Sequence, residues 1–190
     1  MHRLAIFASG EGTNAQNFID YYKDRSDITV SVIVCNNKEA GVINRAKEAG
    51  IPFIIVNKES FYNSDLVLNE LKEKADFIVL AGFLWMIPDN IIKAYTGKMV
   101  NIHPALLPKY GGKGMYGKKV HEAVIANGEL ASGITIHYVN ENYDEGEIIF
   151  QEKCLVEAYD TPETLAAKIH KLEYMFYPLI VEILLLGNKS

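Results

Sequence analysis

A chain in which short apolar runs alternate with amphipathic helical stretches has few folds open to it, and this one alternates from its first residues. Leu4 to Ala8 is apolar, Ser9-Gly10-Glu11-Gly12 is a glycine turn, and Ala15, Phe18, Ile19 and Tyr22 then recur at helical spacing. The pattern repeats. Ile28 to Cys35 is β-branched and apolar, and Ala40 to Ala49 is helical with Gly50 placed to end it. Phe53 to Val56 is the next strand, Asp65 to Lys74 a helix, Phe77 to Ala81 a strand, and Pro88 to Tyr95 a helix opened by proline and closed by Gly97. Met99 to Ile102 adds another strand. Such alternation predicts an α/β fold of Rossmann-like type, a mainly parallel sheet with helices on both faces.

Beyond residue 103 the texture changes. Ile134 to Val139 and Ile148 to Val156 are strand-like with no helix between them, so the sheet is expected to become mixed toward the C-terminus. Thr161-Pro162-Glu163 then opens a long helix with Leu165, Ile169, Leu172 and Phe176 on one stripe and Pro178 as an expected kink. With 190 residues, 49% of them hydrophobic, the chain is read as one domain with a substantial core. Nineteen basic against 24 acidic residues give a net charge of −5, which argues against an extended nucleic-acid partner. Cys35 and Cys154 form neither a metal-ligand pair nor a disulfide framework, and are read as reduced thiols of a cytoplasmic protein. The N-terminal apolar run is too short for a signal sequence or a membrane span, so no membrane partner is expected.

Three segments could carry chemistry. Ser9 to Ala15 joins a strand to a helix, and backbone N–H groups at a helix start suit an anion, so a phosphate at Gly12, Thr13 and Asn14 is one reading. A dinucleotide reading wants an acid after the second strand, where Cys35-Asn36-Asn37 stands instead. A tight turn with no ligand is the other alternative. Asn101-Ile102-His103-Pro104 ends the fifth strand, and alternation puts Asn101 and His103 on one side of it. An amide that donates to a carbonyl oxygen and an imidazole that carries a proton suit acyl transfer, although a lone histidine is more often structural. Asn140 to Gly146 is an acidic turn, either a solvated loop or, if Asp144 reaches His103, a source of charge that raises the imidazole pKa.

Together and in this order, these segments resemble the phosphoribosylglycinamide formyltransferase family. The matching stretches are Ser9 to Asn14, Leu80-Ala81-Gly82-Phe83, Asn101 through Tyr110, Gly133 through His137, Asp144-x-Gly146, and Glu173 with Tyr177-Pro178. They span nearly the whole chain. The resemblance implies one formyltransferase domain over 1–190, with a phosphate- or nucleotide-binding part at about 1–100 and a catalytic and folate-binding part at about 101–190. It implies transfer of a formyl group from 10-formyltetrahydrofolate to the amine of 5-phosphoribosylglycinamide, in purine synthesis and without metal. Asn101 and protonated His103 would then stabilise the oxyanion, Asp144 would keep His103 charged, and Gly12, Thr13, Asn14 and Glu173 would bind the amine substrate. Leu84, Trp85, Met86, Ile87, Ser64, Asn101 and Asn140 would contact the folate. Relatives with other acceptors usually carry an added domain, for which this length leaves no room.

Two departures accompany the resemblance. Trp85 and the segment near Ser64 stand where the family often has basic side chains facing the benzoylglutamate end. The stretch Gly111 to Lys119 is longer than usual and lacks the usual histidines; Lys113, Lys118 and Lys119 either meet a polyglutamate tail or are simply solvated. Hydrolysis of the same donor and ligand sensing without catalysis are the alternative functions. The state expected in solution is a monomer or weak homodimer binding two small molecules.

Overall fold

The computed structural model describes residues 1–187. The chain divides into two compact units, 1–100 and 101–190. In the first, the elements run β1 (His2–Phe7), α1 (Thr13–Tyr22), β2 (Ile28–Cys35), α2 (Gly41–Glu48), β3 (Phe53–Ile55), α3 (Lys58–Tyr62), α4 (Leu66–Lys74), β4 (Phe77–Leu80) and α5 (Asp89–Ala94). Its strands lie in the order β3-β2-β1-β4. Each pairs in parallel with its neighbour. The β-branched runs are therefore covered on both sides, and all four residues of β4 are buried. Helices α1 and α2 pack on β2, and α4 on β1. Leu4, Ile6, Phe7, Phe18, Ile33 and Ile78, all fully buried, form the centre of this core.

The second unit begins within β5 (Met99–His103) and holds α6 (Lys118–Ala126), β6 (Ala131–Tyr138), β7 (Ile148–Leu155) and α7 (Pro162–Leu186). Its strand order is β5-β6-β7, and β6 and β7 are antiparallel. That is the predicted change to a mixed sheet. Along β7 burial falls on alternate residues over most of the strand, as on a sheet edge open to water on one face. Helix α7 is opened by a reciprocal cap between Thr161 and Thr164, with proline in its first turn. It continues through Pro178, where a kink is predicted, as one 25-residue helix.

Two helices differ from the expectation. Five-residue α3 is too short to show a period, and its start is set by a cap, Asn57 Oδ1 accepting from the Ser60 N–H. Helix α6 begins at Lys118, inside the stretch expected to be loop. Val120 and Val124, four apart and buried, are the signal that the neighbouring glycines and lysines obscured.

Candidate active site

Asn101 and His103 leave β5 on the same side, and the turn after β6 brings Asp144 to both. His103 Nδ1 lies 3.5 Å from Asp144 Oδ2. His103 Nε2 is 2.7 Å from the Tyr110 carbonyl, and since a carbonyl only accepts, that nitrogen carries hydrogen. Asn101 Nδ2 donates to His137 Nε2 over 3.1 Å and, more weakly, to Asp144 Oδ1 over 3.5 Å. The ring of His137 donates from Nδ1 to the Tyr138 carbonyl over 2.8 Å, which leaves Nε2 as the acceptor that orients the Asn101 amide. Asp144 Oδ2 also accepts from the Gly112 N–H over 2.9 Å. The Asn101 amide, the two imidazoles and the Asp144 carboxylate are thus each oriented by neighbours before any substrate arrives.

Backbone geometry is bent to this end. Tyr110 and Asp144 sit at φ 58° and 56°, left-handed conformations that cost a side-chain-bearing residue about 1–2 kcal/mol. One places its carbonyl on His103, the other its carboxylate. Gly146 is required for a different reason: a Cβ there would overlap the Tyr138 carbonyl oxygen, the same oxygen that accepts from His137. Beneath the cluster, Thr135 Oγ1 donates to Ala105 O over 2.7 Å and accepts from the Leu107 N–H and from Gln151 Nε2. This buried network fixes the segment that follows Pro104.

The electrostatics of His103 follow from its enclosure. Burial pushes its imidazole below the ordinary value, and the opposing effects of Asp144 and the Tyr110 carbonyl do not overcome that. That direction runs against the protonated ring that the resemblance implies. Its side chain is only 4% exposed, more enclosed than a pocket-lining residue, because the Tyr110–Gly112 segment covers it. Burial acts to raise the Asp144 carboxyl, but His137, the charge of His103 and the Gly112 N–H outweigh it and hold the group below the usual carboxylate range.

Glu173 occupies a buried position of α7, with His170 Nδ1 donating to its Oε2 over 2.8 Å, and its charge acts on His103. In the acidic turn, Asn140 Oδ1 accepts from the Asn142 N–H over 3.0 Å and so shapes the loop. Asn101, His103 and Asp144 were legible in the sequence. Tyr110 and His137 were not singled out, although His137 shares its strand face with Thr135 and could have been noticed by alternation.

In the first unit, Gly12 precedes α1 at φ 71°, and no side chain caps that helix. A Cβ on Gly12 would come within 2.9 Å of Val42 Cα and 2.5 Å of its Cβ, so the glycine is needed by the fold itself. The loop is braced by the Val42 N–H on Gly10 O (3.1 Å), by Arg45 Nε on Glu11 O (2.7 Å) and by the Leu84 N–H on Ser9 Oγ (2.9 Å). Ser64, Met86 and Ile87 line a cavity of about 640 Å³ together with Tyr62, Asp65 and Asp89. Its lining contains no cation, in keeping with the absence of basic residues from this segment of the sequence. Trp85 packs among rings, with centroids 6.0 Å from Phe61 and from Tyr62 and 6.4 Å from Phe83, while Leu84 is exposed. Among the described residues, no group of three or more His, Cys, Asp or Glu side chains could hold a metal ion, and no helix is long and apolar enough to cross a membrane.

A strand-end asparagine and histidine facing one aspartate, in a mainly parallel α/β fold, define a candidate group-transfer enzyme. The chain belongs to the formyl transferase family, whose model matches residues 2–181. Within it, the chain is 35% identical to a phosphoribosylglycinamide formyltransferase of Bacillus subtilis (strain 168), with 100% of this chain and 98% of that protein covered. It is 43% identical to a chloroplastic phosphoribosylglycinamide formyltransferase of Vigna unguiculata over 96% of this chain, and spans 60% of that protein's length. Among solved structures it resembles the phosphoribosylglycinamide formyltransferase from Bacillus halodurans, with a TM-score of 0.87, 37% identity, and 98% and 97% of the two chains covered.

Proposed function

We propose that this chain transfers a formyl group from 10-formyltetrahydrofolate to the amine of 5-phosphoribosylglycinamide, a step of purine (IMP) synthesis, with 1–190 working as one formyltransferase domain. The observation that carries this reading is the Asn101–His103–Asp144 cluster, with each member's orientation set by hydrogen bonds. The amine nitrogen attacks the formyl carbon, and the carbonyl oxygen takes up negative charge. Asn101 meets that oxygen with the N–H now spent on the long 3.5 Å contact to Asp144, while His137 keeps the other N–H and the amide plane in place.

Neutral His103 then serves as the base. Its Nε2–H is committed to Tyr110, so the amine proton enters at Nδ1, on the Asp144 side. Asp144 stabilises the imidazolium so formed. Return of that proton to the folate nitrogen, directly or through water, breaks the carbon–nitrogen bond and yields the formyl amide and tetrahydrofolate.

Substrate binding is assigned by the family pattern. Gly12, Thr13 and Asn14 receive the phosphate at the uncapped start of α1, and Glu173 holds the glycinamide or ribose part. Ser64, Met86 and Ile87 bind folate at their cavity, Leu84 and Trp85 frame it, and Asn101 and Asn140 hold the pterin end. No metal takes part. We place the protein in the cytoplasm as a monomer or weak homodimer, with no nucleic-acid or membrane partner; its cysteines are free.

Steady-state turnover of 10-formyltetrahydrofolate, with and without phosphoribosylglycinamide, tests the reading. Turnover that depends on the amine is expected. Formate release without the amine would make the enzyme a hydrolase, and tight ligand binding with no reaction would make it a sensor.

A further inference from the structure

Helix α7 buries a stripe at four-residue spacing, Leu165, Ile169, Glu173, Tyr177 and Val181, and one member is a carboxylate. At 5% exposure, Glu173 needs polar partners to stay ionised. One turn earlier, His170 Nδ1 donates to its Oε2 over 2.8 Å. The ring stacks on Tyr174, with centroids 6.0 Å apart and planes 12° apart, and its side chain is 50% exposed. Glu173 and Tyr174 thus fix the imidazole, while water can still exchange its proton.

We infer that His170 is a positioning residue for the amine substrate: its hydrogen bond holds the Glu173 carboxylate in its working orientation and supplies the counter-charge that keeps it there. This rests on the reading of Glu173 as a substrate-binding residue. The other groups facing Glu173 are His121 on α6, His103 on β5 and Tyr177 on α7. His121 is 3% exposed, with no hydrogen-bond partner on Nδ1. Burial lowers His121, with the charge of His170 acting the same way; burial also lowers His103 and holds the Tyr177 phenol protonated. The hydrogen bond and charge of Glu173 raise His170, against a smaller effect of burial. Of these three imidazoles, the exposed one is the one whose pKa is raised.

The sign follows from the raised value. Below it the ion pair is intact; as pH rises through it the charge is lost, though a neutral ring can still donate from Nδ1. With the charge gone the hydrogen bond is weaker, the carboxylate is held less firmly in its orientation, and its hold on substrate loosens. KM for phosphoribosylglycinamide should therefore rise as pH increases through the raised His170 pKa.

The test is steady-state kinetics from about pH 6 to 9 on wild type, His170→Ala and His170→Gln. His170→Ala is expected to raise KM for the amine about tenfold with kcat and the folate KM nearly unchanged. His170→Gln, whose amide donates without charge, should recover most of that loss at low pH and abolish the pH dependence of KM. An unchanged KM in His170→Ala, or a pH dependence that persists in His170→Gln, would overturn the inference. As a readout independent of turnover, the His170 ring followed by NMR should titrate at lower pH in Glu173→Gln than in wild type; identical titrations also count against it. Absence of amine-dependent transfer in wild type would sink the functional reading instead, a separate result.

Discussion

The loop after β1 and the cluster after β5 occupy equivalent places in their strands, yet they are built from opposite materials. Gly10 to Asn14 is a backbone structure: its carbonyls are braced by Val42 and Arg45, and its key residue has no side chain. Asn101, His103, Asp144 and His137 form a side-chain structure, in which the backbone serves to aim Tyr110 and Asp144. A backbone site fails when its conformation is lost, so its sensitive substitutions cost stability. A side-chain site fails when its chemistry is lost, so its sensitive substitutions should spare most of the fold.

Replacing His103 with asparagine should have the largest effect. It removes the only base of the proposed mechanism, and kcat is expected to fall by a factor on the order of 10²–10³, or about 3–4 kcal/mol, while the circular-dichroism spectrum stays native. Near-normal turnover would mean that the cluster is structural.

Gly12→Val is the counterpart on the backbone side. A β-branched residue at φ 71° combines conformational strain with overlap against Val42, so a loss of about 3 kcal/mol of stability is expected in denaturant titrations. Because the fold itself needs this glycine, lost affinity in that variant would not by itself report on phosphate. A native-like unfolding midpoint would contradict the backbone account.

Thr135→Val should cost about 2 kcal/mol of stability, since it leaves Ala105 O and the Leu107 N–H short of a buried partner. Loss of kcat without loss of stability would mean that Thr135 acts in the chemistry.

A smaller effect, and one with a definite sign, belongs to Asp144→Asn. The carboxylate raises the His103 pKa against the larger effect of burial, so removing it should lower that pKa further. With neutral His103 as the proposed base, the acidic limb of the kcat profile should therefore move to lower pH. A limb that stays in place would mean that the two side chains do not couple.

The same contrast explains what the sequence reveals. Alternating apolar runs and the Ser9 to Gly12 turn are local signals, and they predict β1 to β5 and the helices between them, apart from the short α3. Asn101 and His103 are legible because they are two residues apart on one strand. Their partners are not local: His137 reaches Asn101 across 36 residues of sequence, and Asp144 reaches it across 43. Nothing in Lys109-Tyr110-Gly111 announces a tyrosine carbonyl on a histidine. The lowered pKa of His103 is likewise invisible in sequence, because it comes from burial, and burial depends on which segment covers the ring.

Affinity of the His103→Asn variant for phosphoribosylglycinamide, measured by calorimetry, is the most direct test of the division between a binding loop and a reacting cluster. The account predicts a Kd within about twofold of wild type although turnover is lost. A Kd that weakens in step with turnover would contradict it.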